Sequence, residues 1–217
     1  EMPNADRSIP DGITAEVICD SMSPAGNRLT TIVARFPRSI ADEVLTHASL
    51  SRNARSSRAT PVEKMIEEVR TDPYIPVKWQ RARKGMQGGD ELTPDETREA
   101  VKLWLYARDE AVTFANHLLD LGLHKTVPNR LLEPFAWQTM IISGTDAAWA
   151  NFFVQRCSPQ ADPPMEVLAR RIEAAYDASK PRILAVGQWH LPFIRDEDRA
   201  QCPAGTFASL RALAHIC

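Results

Sequence analysis

The chain has 217 residues, which is enough for one domain with a sizeable core. A hydrophobic fraction of 44% and a charged fraction of 25% are those of an ordinary globular protein. The formal net charge of −2 argues against binding to nucleic acid or to an anionic membrane surface. No window approaches the roughly 20 consecutive apolar residues of a membrane span, and the N-terminal residues do not form a secretory signal.

The four cysteines include no C-x-x-C pair and no other spacing typical of metal ligands, so no metal site is predicted. We expect free thiols in a reducing, cytoplasmic environment. The four are Cys19, Cys157, Cys202 and Cys217.

Two strands are predicted near the start of the chain. Residues 1–12 are polar and are expected to be flexible. Residues 15–21 and 29–36 are short and rich in β-branched side chains, which is typical of strands. Proline and apolar residues at helical spacing predict a helix over residues 37–50, followed by a polar, irregular segment over residues 51–58.

The middle of the chain contains the clearest helix signal. A short helix is predicted over residues 62–69, and residues 72–92 form an irregular stretch long enough to be a lid or binding loop. Thr93 and Glu96 then match a capping box, which predicts the start of a long helix. Gly122 matches a glycine C-cap, so this helix should span about 28 residues, or roughly 40 Å.

The last part of the chain mixes strands and helices. A strand is predicted over residues 136–143 and a short helix over residues 145–153. A further helix should begin at Pro164, a short strand should follow over residues 183–186, and residues 209–216 should be helical. Because there is no strict βαβ alternation, no repeat and no linker, the prediction is a single α+β domain over residues 1–217.

A dense set of hydrogen-bond donors follows the first predicted helix. Hydroxyl and guanidinium groups in such a set suit a phosphate, because they give charge-assisted hydrogen bonds. The alternative is a solvated basic loop in which Arg52, Arg55 and Arg58 face water. The donors are His47, Ser51, Asn53, Ser56, Ser57 and Arg58.

Two further segments carry candidate site residues. Arg130 could bind an anion or could form a structural ion pair with Glu133 or Glu166. Asn151 and Arg156 stand beside three aromatic residues and could hold a flat heterocycle, although an ordinary core helix explains the same spacing.

His190 lies between Trp189 and Leu191. A lone histidine in such apolar surroundings is more often a satisfied core residue than a catalytic one.

In order and spacing, these segments resemble the flavin-dependent thymidylate synthases. The signature of that family is Arg-His-Arg, seven residues, then Ser and a following Arg. Here Thr-His-Ala at 46–48 is followed after seven residues by Ser56, with Arg58 in register. The segments 129–135 and 145–156 resemble the second and third conserved blocks of the family.

The resemblance covers roughly residues 13–195 and implies an α+β fold with a central mixed sheet packed with long helices. It also implies a role for each matching residue. Arg156 would be catalytic, because it would face the uracil ring and stabilise the negative charge that develops there. The nucleotide would be bound by Ser56, Ser57, Arg58, Arg130, Arg156 and Glu43. The flavin would be bound by Thr31, Thr46, His47, Ser49, Asn53 and Asn151.

The implied activity is methylation of a uracil nucleotide, UMP or dUMP, at C5. In this chemistry NADPH reduces FAD, and methylenetetrahydrofolate supplies the carbon that becomes the methyl group. The cofactors carry the difficult step, so Ser56 is expected to bind and not to act as a nucleophile. The family is homotetrameric, and each active site is assembled from several subunits.

The chain departs from the family pattern at several positions. Thr46 and Ala48 replace the two arginines of the triplet, Ala54 stands where a glutamate is common, and Asn27 stands where a histidine is common. Loss of the carboxylate at Ala54 could admit the 2′-hydroxyl of UMP, which indicates a member specialised for nucleoside-antibiotic biosynthesis.

Other functions remain compatible with the pattern. They are a housekeeping or phage dUMP-to-dTMP synthase, a hydroxymethylating relative, and a homologue that binds flavin or nucleotide without catalysis. A nucleic-acid binder built on residues 52–58 is disfavoured by the acidic net charge.

Overall fold

The computed structural model describes residues 12–194 and residue 197. The flexible segment expected over residues 1–12 lies outside the described residues except for Gly12. The helix predicted over residues 209–216 lies outside them as well, as do Cys202 and Cys217.

A five-stranded mixed sheet in the order β3-β4-β2-β1-β5 forms the centre of the described chain. β1 (Thr14–Met22) and β2 (Arg28–Pro37) pair antiparallel, which confirms the two strands predicted first. β4 (Trp137–Thr145) pairs antiparallel with β2 on one side and with the short edge strand β3 (Ser51–Ala54) on the other. β5 (Arg182–Ile183) runs parallel to β1 and is shorter than the strand predicted there.

The described residues also form six α-helices, so the architecture is a mixed α/β one. They are α1 (Ala41–Leu45), α2 (Val62–Thr71), α3 (Pro94–Asp120), α4 (Thr126–Leu132), α5 (Asp146–Arg156) and α6 (Pro163–Ala178). No described helix combines the length and the apolar character that a membrane crossing requires.

The long helix α3 begins and ends as its sequence predicts. The Thr93 hydroxyl accepts a hydrogen bond from the backbone N–H of Glu96, and the Glu96 carboxylate accepts one from the backbone N–H of Thr93 at 2.9 Å. Together these bonds satisfy two backbone donors that a helix N-terminus leaves without partners. At the other end Gly122 has a φ of +76°, which favours glycine because it has no Cβ.

The helix predicted over residues 37–50 is much shorter in the structure, and this prediction was wrong. A 3₁₀ turn over Arg38–Ile40 leads into α1, which ends at Leu45. The reason lies downstream, because the Arg52 guanidinium donates to the carbonyl oxygens of Leu45 at 2.7 Å and of His47 at 2.8 Å. A cation on free carbonyls at a helix C-terminus stabilises the end of the helix at that point.

The segment after this helix also differs from the prediction. Residues 51–58 were expected to be irregular, but their first half forms β3 and their second half leads into a 3₁₀ turn over Ser57–Ala59. Helix α4 had not been predicted either. Both elements are short, so the formation of β3 depends on pairing with β4, and that of α4 on packing against α3, more than on local periodicity.

The core has two parts, and only one of them touches the sheet. One face of the sheet packs against α5 and α6, with Ile32, Ala34 and Phe36 of β2 fully buried in that layer. A second cluster joins α2, α3 and α4. Since side chains alternate along a strand, Thr31 and Val33 point to the opposite face of the sheet. This alternation decides which candidate site residues can meet.

Candidate functional site

Four of the residues singled out from the sequence meet around the guanidinium of Arg156, at the end of α5. Its Nε donates to Nε2 of His47 at 2.8 Å, and its Nη1 donates to Oε2 of Glu43 at 2.9 Å. Its Nη2 donates to the Thr46 hydroxyl at 3.3 Å. Residues far apart in sequence, on α1, on the turn that follows it and on α5, therefore hold one cation in a fixed orientation. We call these four side chains the Arg156 cluster.

His47 is the buried member of the Arg156 cluster. Only 4% of its surface is exposed, and its ring packs edge-on against Phe152 with centroids 4.9 Å apart. Because Nε2 accepts a hydrogen bond from a guanidinium, the ring is neutral with no proton on that nitrogen. Burial lowers the pKa of His47, and the positive charges of Arg156 and Arg52 lower it further.

Glu43 carries the one carboxylate of the cluster. Burial raises the pKa of Glu43 above its ordinary value, although the charge of Arg156 opposes this change. The bond between the two side chains is thus a half-exposed ion pair, with 37% of the Glu43 side chain and 21% of the Arg156 side chain accessible. Such a pair orients the guanidinium more than it stabilises the fold.

The Arg156 cluster opens on a cleft of about 530 Å³. This volume is within the range of small-molecule sites. Besides Arg156 and Glu43, the cleft is lined by Lys78 and by residues 86–88, from the long loop that the sequence marked as a lid or binding loop. Lys78 was missed by the sequence analysis, since a lysine in an irregular loop carries no signal of its own.

A second group of candidate residues lies on the 3₁₀ turn after β3 and on α4. The side-chain amide of the buried Asn129 donates to the carbonyl oxygens of Ser57 at 2.8 Å and of Thr60 at 3.0 Å, which fixes the turn against α4. The neighbouring guanidiniums of Arg58 and Arg130 are exposed. Arg130 forms the ion pair with Glu133 that the sequence allowed, at 3.6 Å.

The serines of this turn differ in accessibility. Ser56 is exposed, and its hydroxyl accepts from the backbone N–H of Arg58 at 3.3 Å. Ser57 is buried, with only 6% of its surface accessible. Ser56 and the exposed arginines thus provide the accessible polar groups of this second group.

The remaining predicted flavin residues do not join the Arg156 cluster. Asn53 is exposed on β3 and pairs with Ile141, so it lies on the same face of the sheet as Thr31, away from α5. Ser49 is exposed in the turn before β3. Asn151 is exposed on α5, where its side-chain oxygen Oδ1 accepts a hydrogen bond from the side-chain amide of Gln155 at 2.9 Å.

Thr31 lies in a hydrogen-bonded cluster with His190. Its buried hydroxyl lies 2.7 Å from the Ser143 hydroxyl and 2.8 Å from Nε2 of His190. The other ring nitrogen of His190 lies 2.7 Å from the Ser21 hydroxyl. Both nitrogens have partners, so the interpretation of His190 as a satisfied structural residue is supported.

Metal ligands are a separate question. In the part of the chain that the structure describes, no three His, Cys, Asp or Glu side chains are grouped so that they could hold a metal ion.

Comparison with known proteins gives a fold relationship and no sequence relationship. No protein-family model matches the chain, and no curated protein matches it. Among solved structures, the UMP/dUMP methylase PolB from Streptomyces cacaoi bound with 5-Br dUMP superposes with a TM-score of 0.63 at 18% identity, covering 77% of this chain and 90% of PolB. The same enzyme bound with 5-Br UMP gives a TM-score of 0.64 at 17% identity, covering 77% of this chain and 89% of PolB.

This likeness covers the greater part of both proteins. An identity of 17–18% carries no residue-level correspondence by itself. The comparison therefore establishes that this chain has a fold related to that of PolB.

Proposed function

We propose that the protein methylates a uracil nucleotide, UMP or dUMP, at C5. In this proposal methylenetetrahydrofolate is the one-carbon donor, FAD is the flavin cofactor and NADPH is the reductant. One observation carries the proposal: a guanidinium anchored by three acceptors stands at the edge of a nucleotide-sized cleft. The fold shared with PolB, a UMP/dUMP methylase, supports the same class of substrate.

Arg156 suits the electrostatic requirement of this reaction. C5 of the uracil ring attacks a carbon electrophile from an enolate form that carries negative charge on a ring oxygen, and a cation already in place stabilises that form. Arginine has five N–H donors, and three of those on Arg156 have partners among the described residues. Two donors therefore remain for a uracil oxygen, while the three existing bonds hold the guanidinium still.

The nucleotide phosphate would be bound by the second group. Arg58 and Arg130 present exposed guanidiniums from adjacent elements, and Ser56 adds an exposed hydroxyl. Guanidinium groups bind phosphate oxygens in pairs of charge-assisted hydrogen bonds, so two of them suit a monophosphate. Ser57 is a weaker candidate because it is buried and fixed by Asn129 through its carbonyl oxygen.

The predicted flavin residues differ in whether their side chains are accessible to FAD. Ser49 and Asn53 are exposed and carry a hydroxyl and an amide, so they fit the phosphates and sugar of FAD. His47 does not fit, because its ring is buried and its Nε2 already accepts from Arg156. When bound and reduced by NADPH, the flavin would supply the hydride that completes the methyl group.

A homotetramer with shared active sites is part of the proposal, and the distribution of the flavin candidates supports the sharing of sites between subunits. Asn53, which fits FAD, lies on the face of the sheet that points away from α5, whereas Arg156 lies on α5 with its anchors. One chain cannot easily bring both sets to the same flavin, but residues from different subunits can. A single catalytic domain in each subunit is part of this proposal.

A homologue without catalysis is the second candidate, and one observation favours it. Thr46 and Ala48 replace the triplet arginines, and the nearby Arg52 is committed to the carbonyl oxygens at the end of α1. Fewer cations are thus available for the phosphates of FAD. This candidate predicts a colourless protein that does not retain added FAD.

Product analysis tests the proposal. The protein would be incubated with FAD, NADPH and methylenetetrahydrofolate, with UMP and dUMP in separate reactions, and the nucleotides would be analysed by mass spectrometry. We expect a C5-methylated product, and we expect Arg156→Ala to reduce the rate about 100- to 1,000-fold. Arg170→Ala is the matched control, since Arg170 is an exposed arginine of α6 paired with Glu166 at 2.9 Å.

Two outcomes of this experiment would count against the proposal. If no methylated nucleotide forms and no flavin binds, the candidate without catalysis is correct. If Arg156→Ala and Arg170→Ala have equal rates, Arg156 does not stabilise the reaction.

A further inference from the structure

The three anchors of the Arg156 guanidinium differ in rigidity. Glu43 and Thr46 are accessible to solvent, with Thr46 exposed and the Glu43 side chain 37% exposed. His47 is 4% exposed. A buried acceptor cannot exchange its partner for water, so His47 constrains the guanidinium more tightly than the two exposed anchors do.

The His47 ring is held on both sides. Phe152 packs edge-on against it from α5, four residues before Arg156 on the same helix. On the backbone side, Arg52 donates to the His47 carbonyl oxygen at 2.8 Å and fixes the turn that carries the ring. The distance between His47 Nε2 and Arg156 Nε is therefore set by two packed elements, α5 and the turn after α1.

We infer that His47 is a positioning residue for Arg156 and not a flavin contact in this protein. The neutral ring accepts the Arg156 Nε–H and directs the two Nη groups towards the cleft. This inference rests on the proposed function, because Arg156 is the group that would contact the uracil ring. It departs from the role that the family resemblance implies for the central histidine of the triplet.

The charges around His47 make this arrangement dependent on pH. Arg156 from α5 and Arg52 from β3 face the ring, and Glu43 on α1 supplies the one carboxylate of the cluster. A proton on Nε2 would oppose the Arg156 Nε–H at 2.8 Å, so the hydrogen bond is lost when the ring is protonated. Acid should therefore remove the buried anchor of the guanidinium.

Three variants separate positioning from flavin binding. His47→Gln keeps an acceptor oxygen near the position of Nε2, whereas His47→Phe keeps a planar ring and removes the acceptor. His117→Gln is the matched control, because His117 is exposed on α3, which contributes no residue to the cleft. Each variant would be assayed for kcat and KM with UMP and dUMP, for nucleotide affinity by calorimetry, and for FAD affinity by fluorescence quenching.

We expect nucleotide affinity and kcat/KM to fall about 10- to 100-fold in His47→Phe, the range for loss of a hydrogen bond to a charged group. FAD affinity should change less than about twofold, and His47→Gln should recover most of the loss. In the pH profile of kcat/KM, the wild type and His117→Gln should lose activity in acid. His47→Gln should not show this loss. Nitrogen NMR of labelled histidine should show an unprotonated Nε2 at neutral pH, with its signal shifted in Arg156→Lys.

Other results would overturn the inference without touching the proposed function. If the wild type methylates UMP or dUMP but His47→Phe loses FAD and keeps its nucleotide affinity, His47 is a flavin contact. A protonated Nε2 at neutral pH would also exclude the inferred bond.

If the wild type binds nucleotide but forms no methylated product, the proposed function fails. The affinities and the NMR signal then still decide the role of His47. If the wild type does not bind nucleotide at all, both proposals fall.

Discussion

Replacement of Phe152 by alanine should weaken both the core and the Arg156 cluster. Phe152 is fully buried between the sheet and α6, and its ring makes edge contacts with His47, Trp149 and Phe153 at centroid distances of 4.9, 5.9 and 5.9 Å. The variant therefore removes a large side chain from a packed interior and also removes one wall of the His47 site. Apart from the His47 ring, the groups around Phe152 are mostly apolar, so a cavity at this position does not fill with water at low cost.

The expected loss follows from that environment. Truncation of a buried phenylalanine to alanine costs about 3–5 kcal/mol, and each favourable aromatic pair adds about 0.5–1.5 kcal/mol beyond the buried area. We therefore expect the free energy of unfolding to fall by about 4 kcal/mol. With a denaturant slope of roughly 2–3 kcal/mol per molar urea, the urea midpoint should fall by about 1–2 M.

Urea denaturation, monitored by circular dichroism, measures the loss of unfolding free energy. Phe114→Ala is the control, because Phe114 is 55% exposed on α3 and should change the free energy of unfolding by less than about 0.5 kcal/mol. The reasoning would be refuted if the midpoint of Phe152→Ala stayed within about 0.3 M of the wild type, or if the two variants lost equal stability.

Three further predictions concern single groups. Thr93→Ala removes the capping box of α3 and should cost about 1 kcal/mol in urea denaturation, without changing the helix content of the folded protein. Asn129→Ala removes the side-chain donor to the Thr60 carbonyl oxygen and one of the two donors to the Ser57 carbonyl oxygen, which also accepts from the Thr60 N–H, and should cost about 1–3 kcal/mol; equal stability with the wild type would mean that water replaces the amide. Burial, Arg156 and Arg52 lower the pKa of His47 below its ordinary 6.5, so the unfolded chain binds that proton more readily. The free energy of unfolding should therefore be highest above about pH 6.5 and should fall as the pH drops from there towards the pKa of His47 in the folded protein. Over the same drop in pH, the urea midpoint of His47→Gln should fall less than that of the wild type.

Elements with strong local signals were predicted well from the sequence. Helix α3 was predicted from Thr93 and Gly122 because a capping box and a C-cap glycine act within a few residues of the chain. The strands β1, β2 and β4 were predicted because each combines β-branched or apolar residues with a length typical of strands.

Elements that depend on distant contacts were not predicted. The end of α1 depends on the Arg52 guanidinium, which reaches back from β3 to the carbonyl oxygens of the helix. β3 itself depends on pairing with β4, almost 90 residues further along the chain. Periodicity within a short window contains neither interaction, so the sequence predicted a longer helix and an irregular segment.

In the candidate site, too, some features could be predicted from the sequence and others depend on distant contacts. The resemblance assigned Glu43 and Arg156 to the nucleotide and Thr46 and His47 to the flavin, and the structure places these four side chains in contact. It could not indicate that Thr31 lies on the other face of the sheet, because that depends on the register between β2 and β4.

The residue at position 46 explains how the cluster can exist in this chain. The Thr46 hydroxyl donates to the Glu43 carbonyl oxygen at 2.6 Å and accepts from Arg156 Nη2 at 3.3 Å. An arginine here, as in the triplet of the family, would bring a second guanidinium to a site that already holds Arg156 and Arg52, with Glu43 as the one carboxylate of the cluster. Repulsion would then favour moving one cation out to solvent or to an anionic ligand. Threonine at position 46 and the inward orientation of Arg156 are therefore physically coupled.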